Sequence, residues 1–133
     1  MLASRRGANP VPDPRHELGE RAEEATAAWL EARGWTILAR RWRCREGELD
    51  LVARDPDRVL VGIEVKARRT GRAGSPIETI NQQRLGRLRA ALGRYCAEAS
   101  FSSDNGLRID LVAMRPEGLG QWRLSHQRGI DAW

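Results

Sequence analysis

Residues 47–68 read GELDLVARDPDRVLVGIEVKAR, two runs of alternating character separated by Asp55-Pro56-Asp57. In the first run Leu49, Leu51 and Ala53 alternate with Glu48, Asp50 and Val52, and a period of two marks a strand. In the second, Val59, Val61, Ile63, Val65 and Ala67 share one face, while Leu60, Gly62, Glu64 and Lys66 share the other. The Asp-Pro-Asp break carries turn chemistry, so the two runs read as an antiparallel hairpin. That hairpin sets Asp50 beside Glu64 across the sheet, with Lys66 two residues further along the same face. Two carboxylates and a lysine on one patch, backed by apolar residues, read as a reactive site.

The lysine stands out for a second reason. Of 23 basic residues, 22 are arginine and Lys66 is the only lysine. Random placement among the basic positions would put it there about one time in 23. Ammonium and guanidinium groups are not interchangeable, so the position calls specifically for an ammonium.

Working outward, 133 residues with 41% hydrophobic and 31% charged side chains suit one globular domain. No apolar run approaches a membrane span and no signal pattern opens the chain, so a cytoplasmic protein is expected. The net charge of +5 and a pI near 10.4 fit a polyanionic partner, nucleic acid first. A generally arginine-rich proteome would produce the same balance. Cys44 and Cys96 match no metal-ligand spacing and read as buried thiols. His16 and His126 are too isolated in sequence for a zinc site.

Residues 1–14 hold three of the six prolines and read as a disordered basic tail, leaving 15–133 as a single domain. A helix is expected over 15–33, closed by Gly34, with Leu18, Ala22, Ala25, Trp29 and Leu30 on its apolar arc. At 100° per residue from Leu18, Glu23 falls at roughly 140°, beside Leu30 at roughly 120°. The other four glutamates of the helix lie between roughly 200° and 260°, facing solvent. Glu23 is thus the one acid able to reach inward; a border salt bridge is the competing use. Residues 35–44 read as a strand whose end gathers Arg40, Arg41 and Arg43, with Arg45 just beyond, suited to phosphate or to a solvated edge. Residues 69–75 form a Gly-rich loop lacking the Gly-Lys-Ser/Thr ending of a phosphate-binding loop. A second helix follows to about Ala97, starting at Pro76 or Glu78, then strands at 107–115 and 121–125. IDLVA at 109–113 echoes LDLVA at 49–53, which makes Asp110 a rival to Asp50. Asp50 is preferred because the short hairpin ties it to Glu64 locally. Arg108 and Asp110 read as a structural or substrate-orienting polar pair.

Carboxylate oxygens are hard ligands that suit Mg²⁺ or Mn²⁺. A divalent cation held by Asp50 and Glu64 would activate water and neutralise a phosphodiester, and Lys66 would orient that water or stabilise developing charge. Glu-x-Lys alone is common by chance; Asp, turn, apolar strand and Glu-x-Lys together are more specific. A solvated face on which Lys66 merely pairs with Glu64 is the alternative.

Gly47-Glu48-Leu49-Asp50-Leu51-Val52-Ala53, Glu64-Val65-Lys66 with Arg68, and Arg108 with Asp110 resemble the motifs of the YraN-like family of small bacterial proteins. That family is grouped with restriction-endonuclease-like, PD-(D/E)-x-K nucleases and lies near the archaeal Holliday-junction resolvases. The resemblance spans about 18–133. It matches Glu23 to a family glutamate, with Ala22 where glycine is usual, Arg41 for a frequent asparagine and Arg84 for a frequent lysine. It implies an α/β fold with an αβββαβ core and a central mixed sheet flanked by helices. It also implies a Mg²⁺- or Mn²⁺-dependent endonuclease acting on DNA, branched or structured DNA included. Asp50, Glu64 and the Val65 carbonyl would hold the metal, Lys66 would act at the water, and Glu23 would be an auxiliary acid. Arg43, Arg45, Arg68, Arg69 and Arg84 would contact nucleic acid, and a homodimer is compatible with it. The alternatives are a catalytically silent nucleic-acid-binding protein of the same fold and a protein-interaction module.

Overall fold

The computed structural model describes residues 13–69, 76–102 and 104–131. Helix α1 (Pro14–Glu31) is followed by strands β1 (Thr36–Cys44), β2 (Gly47–Arg54) and β3 (Leu60–Ala67). A single 3-10 turn (Pro76–Thr79) leads into α2 (Gln82–Glu98), and β4 (Leu107–Pro116) and β5 (Trp122–Gln127) complete the chain. The expected αβββαβ order is therefore present, with β5 added. The strands lie in the order β1-β2-β3-β4-β5, all neighbours antiparallel except the parallel pair β3 and β4, so the sheet is mixed.

Both faces of the sheet are covered. Ala22, Ala27 and Leu30 of α1 pack with Trp35, Leu51, Ala53, Val61, Ile63, Val112 and Met114 on one face. Leu85, Leu88, Ala91, Leu92 and Cys96 of α2 pack with Leu49, Val52, Leu60 and Ile109 on the other. A strand buried on both faces needs apolar residues at consecutive positions, which is why β3 opens Leu-Val-Gly-Ile. At Gly62 the neighbouring strands leave no room: a Cβ there would meet Leu49 Cδ2 at 3.1 Å and Ile109 Cδ1 at 3.2 Å, with Leu92 Cδ1 of α2 at 3.5 Å.

Several local expectations shift. Asp13 caps α1 by accepting from the Arg15 amide at 2.9 Å, and Pro14 opens the helix, so the tail reading fails for its last two positions. Residues 1–12, read as disordered, and 70–75, read as a loop, lie outside the described residues. Helix α1 ends at Glu31 with Ala32 as its cap, and Gly34 (φ 88°) turns the chain into β1 instead. Asp55 builds the hairpin turn, its side chain accepting from the amides of Asp57 (2.8 Å) and Val59 (2.9 Å). The alternation in β2 breaks: Leu49 joins the α2 face while Leu51 joins the α1 face. The cause lies in its neighbours. Pairing with β3 runs only from Arg54↔Leu60 to Leu51↔Ile63, and Arg41 of β1 is left-handed (φ 48°), so Asp50 is outside both ladders and the strand rotates there. By contrast β3 pairs with β4 over its whole length, Leu60↔Leu107 to Ala67↔Met114.

Candidate functional site

Asp50 and Glu64 meet where the β2–β3 ladder opens. Had pairing continued they would face each other directly; instead the Val65 amide donates to Asp50 Oδ2 at 2.8 Å and takes the place of a ladder bond. Glu64, Gly62 and Leu60 point to the α2 face, so the pair looks into a cleft of about 200 Å³ lined by Gly47, Glu48, Asp50, Glu64, Arg84 and Arg87. Lys66 Nζ lies 3.7 Å from Glu64 Oε2, as the hairpin reading requires. Glu64 is only 3% exposed and Lys66 27%. The site stands at the carboxyl ends of the parallel strands β3 and β4, the place where open α/β sheets bind ligands.

The electrostatics of the pair are those of two carboxylates too close to ionise together. Burial, and then the charge and hydrogen bond of Glu64, push the Asp50 pKa up from its usual value to about 8, and Glu23 adds to the rise. An excess of buried negative charge between hard oxygen donors is what a divalent cation relieves, so the residues present fit Mg²⁺ or Mn²⁺. Among the described residues no group of three or more His, Cys, Asp or Glu side chains converges. The donor set is two carboxylates plus whatever backbone, water or phosphate oxygens join them, a count that Mg²⁺ accepts.

Glu23 lies in the other layer. It lies on α1, half-buried, and accepts from Arg41 Nε at 2.9 Å, while Arg41 Nη2 pairs with Glu20 at 3.0 Å. The border salt bridge is the use of Glu23 that is seen, and its charge adds a smaller push to the raised pKa of Asp50. A hollow of about 270 Å³ among Glu20, Glu23, Glu24, Arg40, Arg41 and Leu51 separates α1 from the sheet there.

The arginines divide. Arg43 stands one residue before the end of β1 and pairs with Glu48; Arg45 is exposed in the β1–β2 turn; Arg69 is exposed beyond β3. Arg68 is half-buried, with its amide bonded to Met114 O at 3.0 Å. All four stand at the end of the sheet that carries the carboxylates. Arg84 is different, because its guanidinium is bonded to Glu64 itself. Sequence reading missed that pair, the left-handed Arg41 that links two glutamates, and the place of Arg87 in the cleft. The contacts of Arg84 and Arg87 join α2 to strands 20 or more positions away, so no local pattern announces them.

Asp110, the rival, pairs with Ile63 beside Glu64 but lies on the opposite, α1-facing side of the sheet and is fully buried. Arg108 donates to it (Nε to Oδ1, 2.8 Å) and to Asp55 Oδ2 (2.9 Å); His126 Nε2 lies 2.9 Å from its Oδ2, and the Gly129 amide donates at 2.9 Å. Burial alone would raise its pKa, but the bonds from His126, Arg108 and Gly129 outweigh it and hold the carboxyl below its usual value. With His126 also against Trp29 and Trp35, this side is closed.

The family model "Uncharacterised protein family UPF0102" matches residues 22–114. A UPF0102 protein of Renibacterium salmoninarum is 44% identical over 115 residues, covering 86% of this chain and 95% of that protein. One from Chloroflexus aurantiacus is 42% identical over 108 residues, 81% and 87% of the two chains. One from Arthrobacter is 39% identical over 113 residues, 85% and 94%. None of these descriptions names an activity.

Proposed function

Because this chain belongs to the UPF0102 family, the family to which its YraN-like motifs point, we propose that it is a Mg²⁺- or Mn²⁺-dependent endonuclease that hydrolyses DNA phosphodiester bonds, branched or structured DNA included. The observation that carries the reading is the Asp50–Glu64 pair, facing a cleft with Lys66 at 3.7 Å from Glu64. Bound by Asp50, Glu64 and the Val65 carbonyl, the cation would supply acidified water and charge neutralisation at the phosphate. The protein's own residues do the rest. The Val65 amide holds Asp50 in place. Lys66 is a preorganised donor at the position where negative charge develops. Glu23 adjusts the charge around Asp50 from across the sheet, and Arg43, Arg45, Arg68 and Arg69 meet the phosphate backbone.

A second reading, a DNA binder that cuts nothing, draws on the Arg84–Glu64 pair, which already neutralises one of the two carboxylates. Incubation with duplex, single-stranded and four-way-junction DNA under Mg²⁺, Mn²⁺ or EDTA separates the two. Cleavage that needs the cation and disappears in Asp50→Asn supports the nuclease. Metal-independent binding with no cleavage of any substrate overturns it in favour of the binder.

A further inference from the structure

Arg84 is the third residue of α2, its amide held by the Asn81 cap at 2.8 Å. From that fixed base the side chain crosses the cleft and Nη2 donates to Glu64 Oε2, the oxygen that also faces Lys66. The two partners differ in freedom. Glu64 is 3% exposed and locked in the β3–β4 ladder, whereas the Arg84 side chain is 39% exposed. Among the described residues the buried Nε of Arg84 has no hydrogen-bond partner, so the guanidinium is engaged by one of its edges only. A phosphate offers the same group two parallel hydrogen bonds, a better match for its fork.

We propose that Arg84 is a built-in counter-cation that closes Glu64 to divalent ions until a DNA phosphate draws it away. The inference rests on the metal-site reading above and adds an order of assembly to it. Arginine and metal compete for one oxygen, and phosphate competes with that oxygen for arginine. DNA and divalent cation therefore bind with positive coupling, each tightening the other by the same factor.

The test follows free Mn²⁺ by its paramagnetic resonance signal, in titrations of the full chain without DNA. Arg84→Met, and Arg84→Gln as a second variant, should bind Mn²⁺ at least about tenfold more tightly than the wild type. Asp50→Asn should remove that gain, which places the ion at this site. A phosphorothioate duplex, with its own Mn²⁺ binding subtracted, should tighten the wild type and leave Arg84→Met unchanged. Equal Mn²⁺ affinity in wild type and both Arg84 variants, still sensitive to Asp50→Asn, overturns the counter-cation role and leaves the metal site standing. Mn²⁺ binding insensitive to Asp50→Asn in every variant overturns both. Circular dichroism on each variant keeps misfolding apart from either result.

Discussion

The amide of Val65 donates to the carboxylate of Asp50 across the gap where β2 and β3 stop pairing. One bond thereby ties a side chain of β2 to the residue that stands between Glu64 and Lys66. It fixes the relative placement of all three groups while leaving the second oxygen of Asp50 outside that bond.

Lys66 separates charge from chemistry. If it supplied only a positive charge, Lys66→Arg would be harmless in a chain that uses arginine everywhere else. If it instead acts as a compact donor beside Glu64, a planar fork cannot take its place. Lys66→Arg should bind DNA within a few-fold of wild type and lose at least about 100-fold in single-turnover cleavage. Near-wild-type cutting would remove Lys66 from the reaction.

Asp50 sets a pH dependence in the metal-free protein. Its folded pKa, about 8, lies above the unfolded value, so the folded state holds the extra proton. The associated stability is complete below the unfolded pKa and is lost as pH rises through 8. Thermal melts in EDTA should show a midpoint that falls between pH 5 and 9, and Asp50→Asn should flatten that slope. Equal slopes in the two proteins would contradict the shifted pKa.

Asp110 should behave in the opposite way. Asp110→Ala leaves Arg108 and His126 without their shared partner in a buried network, a loss of about 3–5 kcal/mol in unfolding free energy. Asp50→Asn should leave the metal-free protein at least as stable as wild type at pH 8. Urea titrations of both variants check this contrast, and similar destabilisation by the two changes would erase it.

Arg41 carries a left-handed backbone at φ 48°, a conformation costing roughly 1–2 kcal/mol for a residue with a Cβ. Asparagine adopts it with less strain. Arg41→Asn should therefore unfold no more easily than wild type despite losing its pairs with Glu20 and Glu23. A clear drop in urea midpoint would show that the ion pairs, and not the backbone, govern this position.

DNA affinity should fall steeply with salt, the slope of log K against log [salt] counting neutralised phosphates. Arg43→Ala and Arg69→Ala should each weaken binding to unrelated sequences alike and make that slope shallower. Affinity indifferent to salt would argue against backbone recognition.

The hairpin and the facing carboxylates were legible because a period of two and a nearby turn determine them locally. The mixed sheet needs the long-range parallel pairing of β3 and β4, and came only from the family resemblance. The choice between Asp50 and Asp110 was harder, since LDLVA and IDLVA are nearly the same word. The side of the sheet separates them: Asp110 pairs with Ile63, one residue from the level of Asp50, but with Val112 and Met114 it faces α1, whereas Asp50 and Glu64 face α2. Nothing in the local pattern records which helix covers which side. The faces of Leu49 and Leu51 were misread for a related reason, because the break at Asp50 comes from neighbouring strands. The Arg84–Glu64 and Arg41–Glu23 pairs join distant elements and carry no periodic signature.

The unequal pairing of β3 has a mechanical consequence. Eight pairs bind it to β4 and four bind it to β2, so the cleft is a vice with one fixed jaw. The Glu64–Lys66 spacing is set by the fixed jaw and stays constant. Under the proposed metal reading, the arm of β2 that bears Asp50, joined to β3 there by the Val65 amide, would be the jaw that adjusts to ions of different radius.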